Sequence, residues 1–204
     1  MGGAGSRRLV FLPGVGADPG FWRPLGDRLP AAWDKIYLGW PGLGDQPPDP
    51  NVNAYDDLIE LVLKAIGDGP VDLLAQSMGG ALALKIALAH PAKVRRMVLA
   101  VTSGGLDVEG LGAIDWRPNY RQNHPLAPDW VWSTRIDVAA DIPRIGQPTL
   151  LLFGDADPIA PAAVGERLAV LLPDAQLHVV AGSDHGLVHE RPADVIDLVL
   201  QHLT

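Results

Sequence analysis

A chain of 204 residues, 48% of them hydrophobic, has the size of one domain with a sizeable core. The formal charge of -8 argues against nucleic acid or an anionic membrane as a main partner. With no cysteine, the chain has no disulfide scaffold, thiol nucleophile or thiolate metal site.

Taken in chain order, Arg7-Arg8-Leu9-Val10-Phe11-Leu12 begins like a signal peptide, but Pro13-Gly14 cuts its apolar run and no small-residue cleavage site follows. It reads as the first strand. No apolar run approaches the roughly 20 residues of a membrane span, so the protein is expected to be cytoplasmic. The glycine-rich stretch Pro13 to Trp22 then turns into a short helix. A phosphate-binding loop is the rival reading there, but Gly14-x-Gly16 lacks a correctly spaced third glycine, and no Gly-Lys-Ser/Thr is present. A short strand over Lys35 to Leu38 runs into Gly39-Trp40-Pro41-Gly42-Leu43-Gly44-Asp45. Leu58, Ile59, Val62, Leu63 and Ile66 form a helical stripe closed by Gly67.

Val71 to Ala75 follows the breaker Gly69-Pro70 and is too short for a good helix, so it reads as a buried strand. From Met78 to Ala89 the residues are good helix formers, apolar on nearly every side, and Pro91 ends the run. A strand turning directly into a helix leaves Ser77 at the corner, between the small residues Ala75, Gly79 and Gly80. Such a corner is tight, and it aims the hydroxyl over the free amides of a helix N-terminus. The bland alternative is a serine that only caps the helix. Further strands are expected over Met97 to Val101, Thr149 to Phe153 and Gln176 to Val180, with helical patterns between. That alternation predicts a parallel sheet covered on both faces, with ligands at the carboxyl ends of its strands.

Ala75-Gln76-Ser77-Met78-Gly79-Gly80 resembles the nucleophile elbow of the α/β-hydrolase family, with Ala75 in place of the first glycine of Gly-x-Ser-x-Gly. Pro41-Gly42-Leu43-Gly44 is similar to a turn common in that family. Gly154-Asp155-Ala156-Asp157-Pro158 resembles its acid turn, which favours Asp157 over the neighbouring Asp155. Ala181-Gly182-Ser183-Asp184-His185-Gly186 resembles its histidine loop, and Glu190-Arg191-Pro192 is also similar. The order Ser77, Asp157, His185 is the one that fold requires. What the resemblance implies is a triad in which His185 takes the serine proton and Asp157 orients the imidazole. It implies an oxyanion hole from the backbone N–H groups of Val15 and Met78. Pro13 stands where the family often has histidine, which does not affect a backbone donor.

The implied fold is a single α/β-hydrolase domain spanning residues 1–204, with a mostly parallel sheet trimmed to about six strands. Only residues 103–135 remain free for a short cap or lid. That stretch carries Trp116, Tyr120, Trp130 and Trp132, whose rings are candidates for lining an apolar substrate pocket or, alternatively, for simply covering the sheet. His185 and His189 are spaced i, i+4, but without the Glu of a His-Glu-x-x-His signature no metal is expected, and no cofactor is implied. The expected activity is a serine hydrolase of carboxylesterase type, acting on a small to medium, largely apolar ester or thioester. A cofactor-free lyase on the same triad and a non-catalytic ligand receptor are the alternatives. Oligomeric state and substrate identity are not legible.

Overall fold

The computed structural model describes residues 7–204. Its framework is a six-stranded parallel sheet: β1 (Arg8–Leu12), β2 (Asp34–Tyr37), β3 (Val71–Gln76), β4 (Val94–Ala100), β5 (Thr149–Gly154) and β6 (Ala175–Val180). The strands lie in the order β2-β1-β3-β4-β5-β6, every pair parallel. Every residue of β3 and of β5 is buried. Because successive side chains point to opposite faces, that burial requires cover on both sides, which the connecting helices supply. These are α1 (Arg23–Gly26), α2 (Tyr55–Ile66), α3 (Met78–Ala89), α4 (Arg117–Asn123), α5 (Trp130–Ser133), α6 (Ala162–Leu171), α7 (Leu187–Glu190) and α8 (Pro192–Leu203). No described helix is long and apolar enough to cross a membrane. This six-stranded parallel sheet covered by helices is the arrangement that the resemblance to the α/β-hydrolase family implies.

The helices differ in how their sequences meet the core. In α2 the buried residues Tyr55, Leu58, Ile59, Val62 and Ile66 form one face, as their spacing predicts. Asp57 closes its N-terminus by accepting the N–H groups of Asn53 and Ala54 at 2.7 and 3.0 Å. By contrast α3 is buried from Gly79 through Leu84 and again at Ile86 and Ala87, in keeping with its all-round apolar composition. It sits close to the sheet: a Cβ on Gly79 would stand 2.7 Å from the carbonyl oxygens of both Leu12 and Pro13.

Far from the carboxyl ends of the strands, Asp72 is fully buried in β3 between Arg7 at 2.9 Å and Arg95 at 2.8 Å. A buried carboxylate is tolerated because it is paired and hydrogen-bonded. This cluster anchors the opposite edge of the sheet from Ser77 and leaves the carboxyl-end loops free for other work.

The close approach of α3 to β1 yields a stability prediction. Gly79→Ala gains about 1 kcal/mol of helix propensity but puts a methyl group against two backbone oxygens, and overpacking of this kind costs about 1–3 kcal/mol or more. The net expectation is a melting temperature lowered by several degrees. Gly146→Ala adds a methyl group that meets nothing within 4 Å and serves as the neutral comparison in the same melting experiment.

Candidate active site

Ser77 occupies the turn between β3 and α3 with φ 52° and ψ -120°. A positive φ at a non-glycine residue carries strain of about 1–3 kcal/mol and persists only where neighbouring contacts impose it. Here the contacts are explicit. The Ser77 N–H donates to Ala100 O at 3.0 Å, which extends the ladder to β4, and the Ser77 carbonyl accepts from Gly80 N–H at 3.0 Å. The same carbonyl accepts the fully buried hydroxyl of Thr102 at 2.5 Å, and that oxygen in turn accepts Gly104 N–H at 3.0 Å. Gly80 lies so close to the Thr102 side chain that any Cβ would overlap it. Residues 79 and 80 are glycine because β1 and Thr102 occupy the space a side chain would need.

The corner points Ser77 Oγ toward His185, whose Nε2 lies 3.0 Å away. On the other side of the ring, Nδ1 is 2.7 Å from Asp157 Oδ2. Asp157 follows β5 and is 2% exposed. Its Oδ1 accepts the N–H groups of Ile159 and Ala160 at 2.8 and 3.1 Å, so the turn beginning at Asp157 fixes its own carboxylate. Facing a carboxylate, which only accepts when ionised, the ring proton belongs on Nδ1, and Nε2 then stands as the acceptor toward the hydroxyl. Asp155 is exposed and spends Oδ1 on Gly182 N–H at 2.6 Å, which braces the histidine loop. Asp157 thus lies beside His185, and the Asp155 side chain is turned to Gly182. Gln76 is buried beside the serine and reaches His185 O at 3.4 Å.

Met78 is the first residue of α3, where backbone N–H groups are free and the helix dipole favours negative charge. Val15 lies in the turn after β1. A Cβ on Gly14 would stand 3.0 Å from Ser77 Cβ, which puts this turn against the serine. Neither the Val15 nor the Met78 N–H has a backbone acceptor among the described residues. The turn is rigid because its carbonyls are spoken for. The buried indoles of Trp22 and Trp40 donate to Leu12 O and Pro13 O at 3.0 and 2.9 Å, and Ala17 N–H donates to Gly14 O at 3.0 Å. Reasoning from sequence missed Trp22, Trp40, Gln76 and Thr102. The only signal was two tryptophans flanking glycine-rich stretches.

Above Ser77 opens a cavity of about 370 Å³, lined by Ser77, Met78 and His185 from the core and by Leu106, Val108, Ile114, Trp116 and Ile136 from the 103–135 segment and its end. That segment contains a short turn at Glu109–Leu111 besides α4 and α5. Of the rings proposed to line a pocket, only Trp116 does so. Tyr120 is buried instead, with its hydroxyl donating to Val15 O at 2.9 Å. Trp130 packs edge-on to Tyr55 with ring centroids 5.0 Å apart, and Trp132 lies 5.6 Å from the Tyr120 ring. The short helices turn these side chains inward to fix the segment to the body. The expectation of a largely apolar site also needs correcting. Asp107, Glu109, Asp115, Arg117 and Arg135 face the same cavity, and Asp115 pairs with Arg117 at 3.0 Å. Desolvation acts to raise the Asp115 carboxyl, but hydrogen bonds from the Arg117 backbone and guanidinium, with the charges of Arg117 and Arg135, together hold it below the usual carboxylate range.

Among the described residues no cluster of His, Cys, Asp and Glu is arranged to hold a metal ion. His189 has Nδ1 2.9 Å from Phe21 O and stacks on the Phe21 ring.

The clamp on the Ser77 carbonyl can be weighed directly. Thr102→Val keeps the shape and removes the hydroxyl, leaving the Ser77 carbonyl short of one donor and Gly104 N–H without its acceptor. Denaturant unfolding is expected to show a loss of about 1–3 kcal/mol.

A family model described as "alpha/beta hydrolase fold" matches residues 7–129, and a second, "Alpha/beta hydrolase family", matches residues 99–198. A pimeloyl-[acyl-carrier protein] methyl ester esterase from Neisseria meningitidis serogroup C is 32% identical, over 88% of this chain and 87% of that protein. The polyketide synthase ThaQ of Burkholderia thailandensis is 27% identical over 91% of this chain, which spans only 11% of that much longer protein. Among solved structures, a hydrolase from Pseudomonas aeruginosa PA01 superposes with a TM-score of 0.79 at 22% identity, covering 100% of this chain and 92% of the other. A match over more than half of its length, and a relative at 32% identity over most of both chains, establish that this protein belongs to the alpha/beta hydrolase fold family.

Proposed function

We propose that the protein is a serine hydrolase that cleaves a carboxylic ester or thioester through an acyl-enzyme on Ser77. The observation that carries this reading is the continuous chain from Ser77 Oγ to His185 Nε2 at 3.0 Å and from Nδ1 to Asp157 at 2.7 Å, set at the floor of a cavity. A serine hydroxyl is a weak nucleophile near neutral pH. It needs a base in hydrogen-bond reach and a third group that keeps the base in the right tautomer.

In the proposed reaction, Ser77 Oγ attacks the acyl carbon as its proton passes to His185 Nε2. The acyl oxygen takes up negative charge facing the N–H groups of Val15 and Met78, beside the positive end of α3. His185 then returns the proton to the leaving alcohol or thiol. A water molecule, deprotonated by the same nitrogen, attacks the acyl-enzyme and releases the acid. Asp157 steadies the imidazolium in both halves and stays ionised. The 103–135 segment is the cap, and its Trp116 together with Leu106, Val108, Ile114 and Ile136 provides the wall for the acyl group.

The esterase relative supports an ester as the bond broken, and the cavity volume of about 370 Å³ limits the acyl part to a small or medium one. The charged side chains around the cavity make room for a polar substituent, so the substrate need not be apolar throughout.

Intact mass after incubation with a fluorophosphonate, alongside hydrolysis of p-nitrophenyl esters from acetate to octanoate, tests the proposal. A single adduct is expected on the wild type and none on Ser77→Ala, with turnover lower by roughly a millionfold, as for loss of the nucleophile in subtilisin. Asp157→Asn is expected to lower kcat by about 10⁴, the cost of the equivalent change in chymotrypsin-type enzymes. No adduct and no turnover of any ester by the wild type rejects the hydrolase reading. Cleavage without acylation of Ser77 points to a lyase instead.

A further inference from the structure

The stretch leaving β1 is held carbonyl by carbonyl, and its fourth anchor comes from elsewhere in the chain. Leu12 O, Pro13 O and Gly14 O are tied by Trp22, Trp40 and Ala17, all close to the sheet. Val15 O is tied by the hydroxyl of Tyr120 at 2.9 Å, from α4, a separation of 105 positions along the chain. The same hydroxyl oxygen accepts Gly44 N–H at 3.1 Å. Gly44 is packed so tightly on Gly16 that a Cβ there would run into the Gly16 carbonyl. One phenol therefore joins the turn after β1 to the turn after β2.

The consequence lies in where the Val15 N–H points. Peptide groups are planar, so an N–H turns only with the torsions on either side of it. The Val15 N–H shares its plane with Gly14 O and turns with Gly14 ψ and Val15 φ, so the permissive Gly14 would by itself let it swing. Ala17 N–H holds Gly14 O and with it the plane that carries the Val15 N–H, and Tyr120 holds Val15 O in the next plane, so the Val15 torsions between the two are fixed from both sides. Tyr120 is well placed to hold its end. It is 9% exposed, stacks on His124 at 4.3 Å and packs against Trp116 and Trp132 at 5.7 and 5.6 Å. Burial raises its phenol above the ordinary value, so the proton donated to Val15 O is retained through neutral pH.

We propose that Tyr120 is a positioning residue for acyl transfer: by fixing the Val15 carbonyl it aims the Val15 N–H at the oxyanion, so the oxyanion hole is complete only when α4 is seated. This rests on the reading of Ser77 as the nucleophile. It gives the tyrosine a different task from contacting substrate, and it makes the 103–135 segment part of the chemistry as well as the wall of the cavity.

Tyr120→Phe in the full chain keeps the ring and its packing and removes only the hydroxyl. The expected result is a kcat for p-nitrophenyl butyrate lower by about 10-fold, a part of the roughly 100- to 1000-fold that loss of a whole oxyanion donor costs. KM is expected to stay within about twofold. The inhibition constant of a trifluoromethyl ketone, which forms a tetrahedral adduct on a nucleophilic serine, should weaken by the same factor as kcat. Amide hydrogen exchange of residues 14–17 should quicken. Unchanged kcat and ketone affinity, or a change confined to KM, overturns the proposal. Exchange needs no substrate, so unchanged protection of residues 14–17 overturns it whatever the activity. If the wild type itself neither takes up a fluorophosphonate nor turns over any ester, the nucleophile reading fails, and this proposal falls with it even where exchange is faster.

Discussion

The strained corner at Ser77 is the constraint around which the molecule is built. A serine with φ 52° is unfavourable on its own, and the fold holds it there with the ladder bond to Ala100, the Thr102 hydroxyl, and glycines at 79 and 80 that let α3 lie against β1. The reward is directional. The hydroxyl leaves the sheet at the start of α3, within reach of an imidazole that arrives from beyond β6. Relaxing the corner would turn the side chain back toward the helix and break that alignment.

The sheet does the rest of the gathering. Because all strands run parallel, their carboxyl ends share one edge, and the loops after β1, β3, β5 and β6 deliver Val15, Ser77, Asp157 and His185 to one place. Each side chain or peptide is then fixed locally. Asp157 is held by two N–H groups of its own turn, the histidine loop is braced by Asp155, and the turn after β1 is held through its carbonyls. Strain recurs along the same edge: Ala17 at φ 60° and Val101 at φ 43° are the other described non-glycine residues with positive φ. Val101 lies on the cavity wall just before Thr102, so the cavity and the serine corner share one irregular strand end.

Much of this was legible in the chain. The strands announced themselves as short apolar runs between breakers, and α3 by a run of helix formers that is apolar all round. Their boundaries moved by a residue or two, except for β4, which begins at Val94, directly after a short helical turn over Pro91–Lys93. Ser77, Asp157 and His185 stood out because each sits in a short segment that resembles a motif of the α/β-hydrolase family. The cap was harder. Its helices are four to seven residues long, too short for periodicity to say which way a ring faces. Trp130 and Trp132 therefore looked like pocket walls and turned out to be packed inward, while the charged residues facing the cavity gave no local signal. Trp22, Trp40 and Thr102 escaped notice for another reason: each acts through one hydrogen bond to a backbone atom distant in sequence, and composition does not record such bonds.

The most direct measurement is a crystal structure of the protein after reaction with a fluorophosphonate. The predicted result is phosphorus bonded to Ser77 Oγ, with one phosphoryl oxygen about 2.7–3.1 Å from the N–H groups of both Val15 and Met78. Phosphorus on another residue, or a phosphoryl oxygen directed away from both N–H groups, would contradict it.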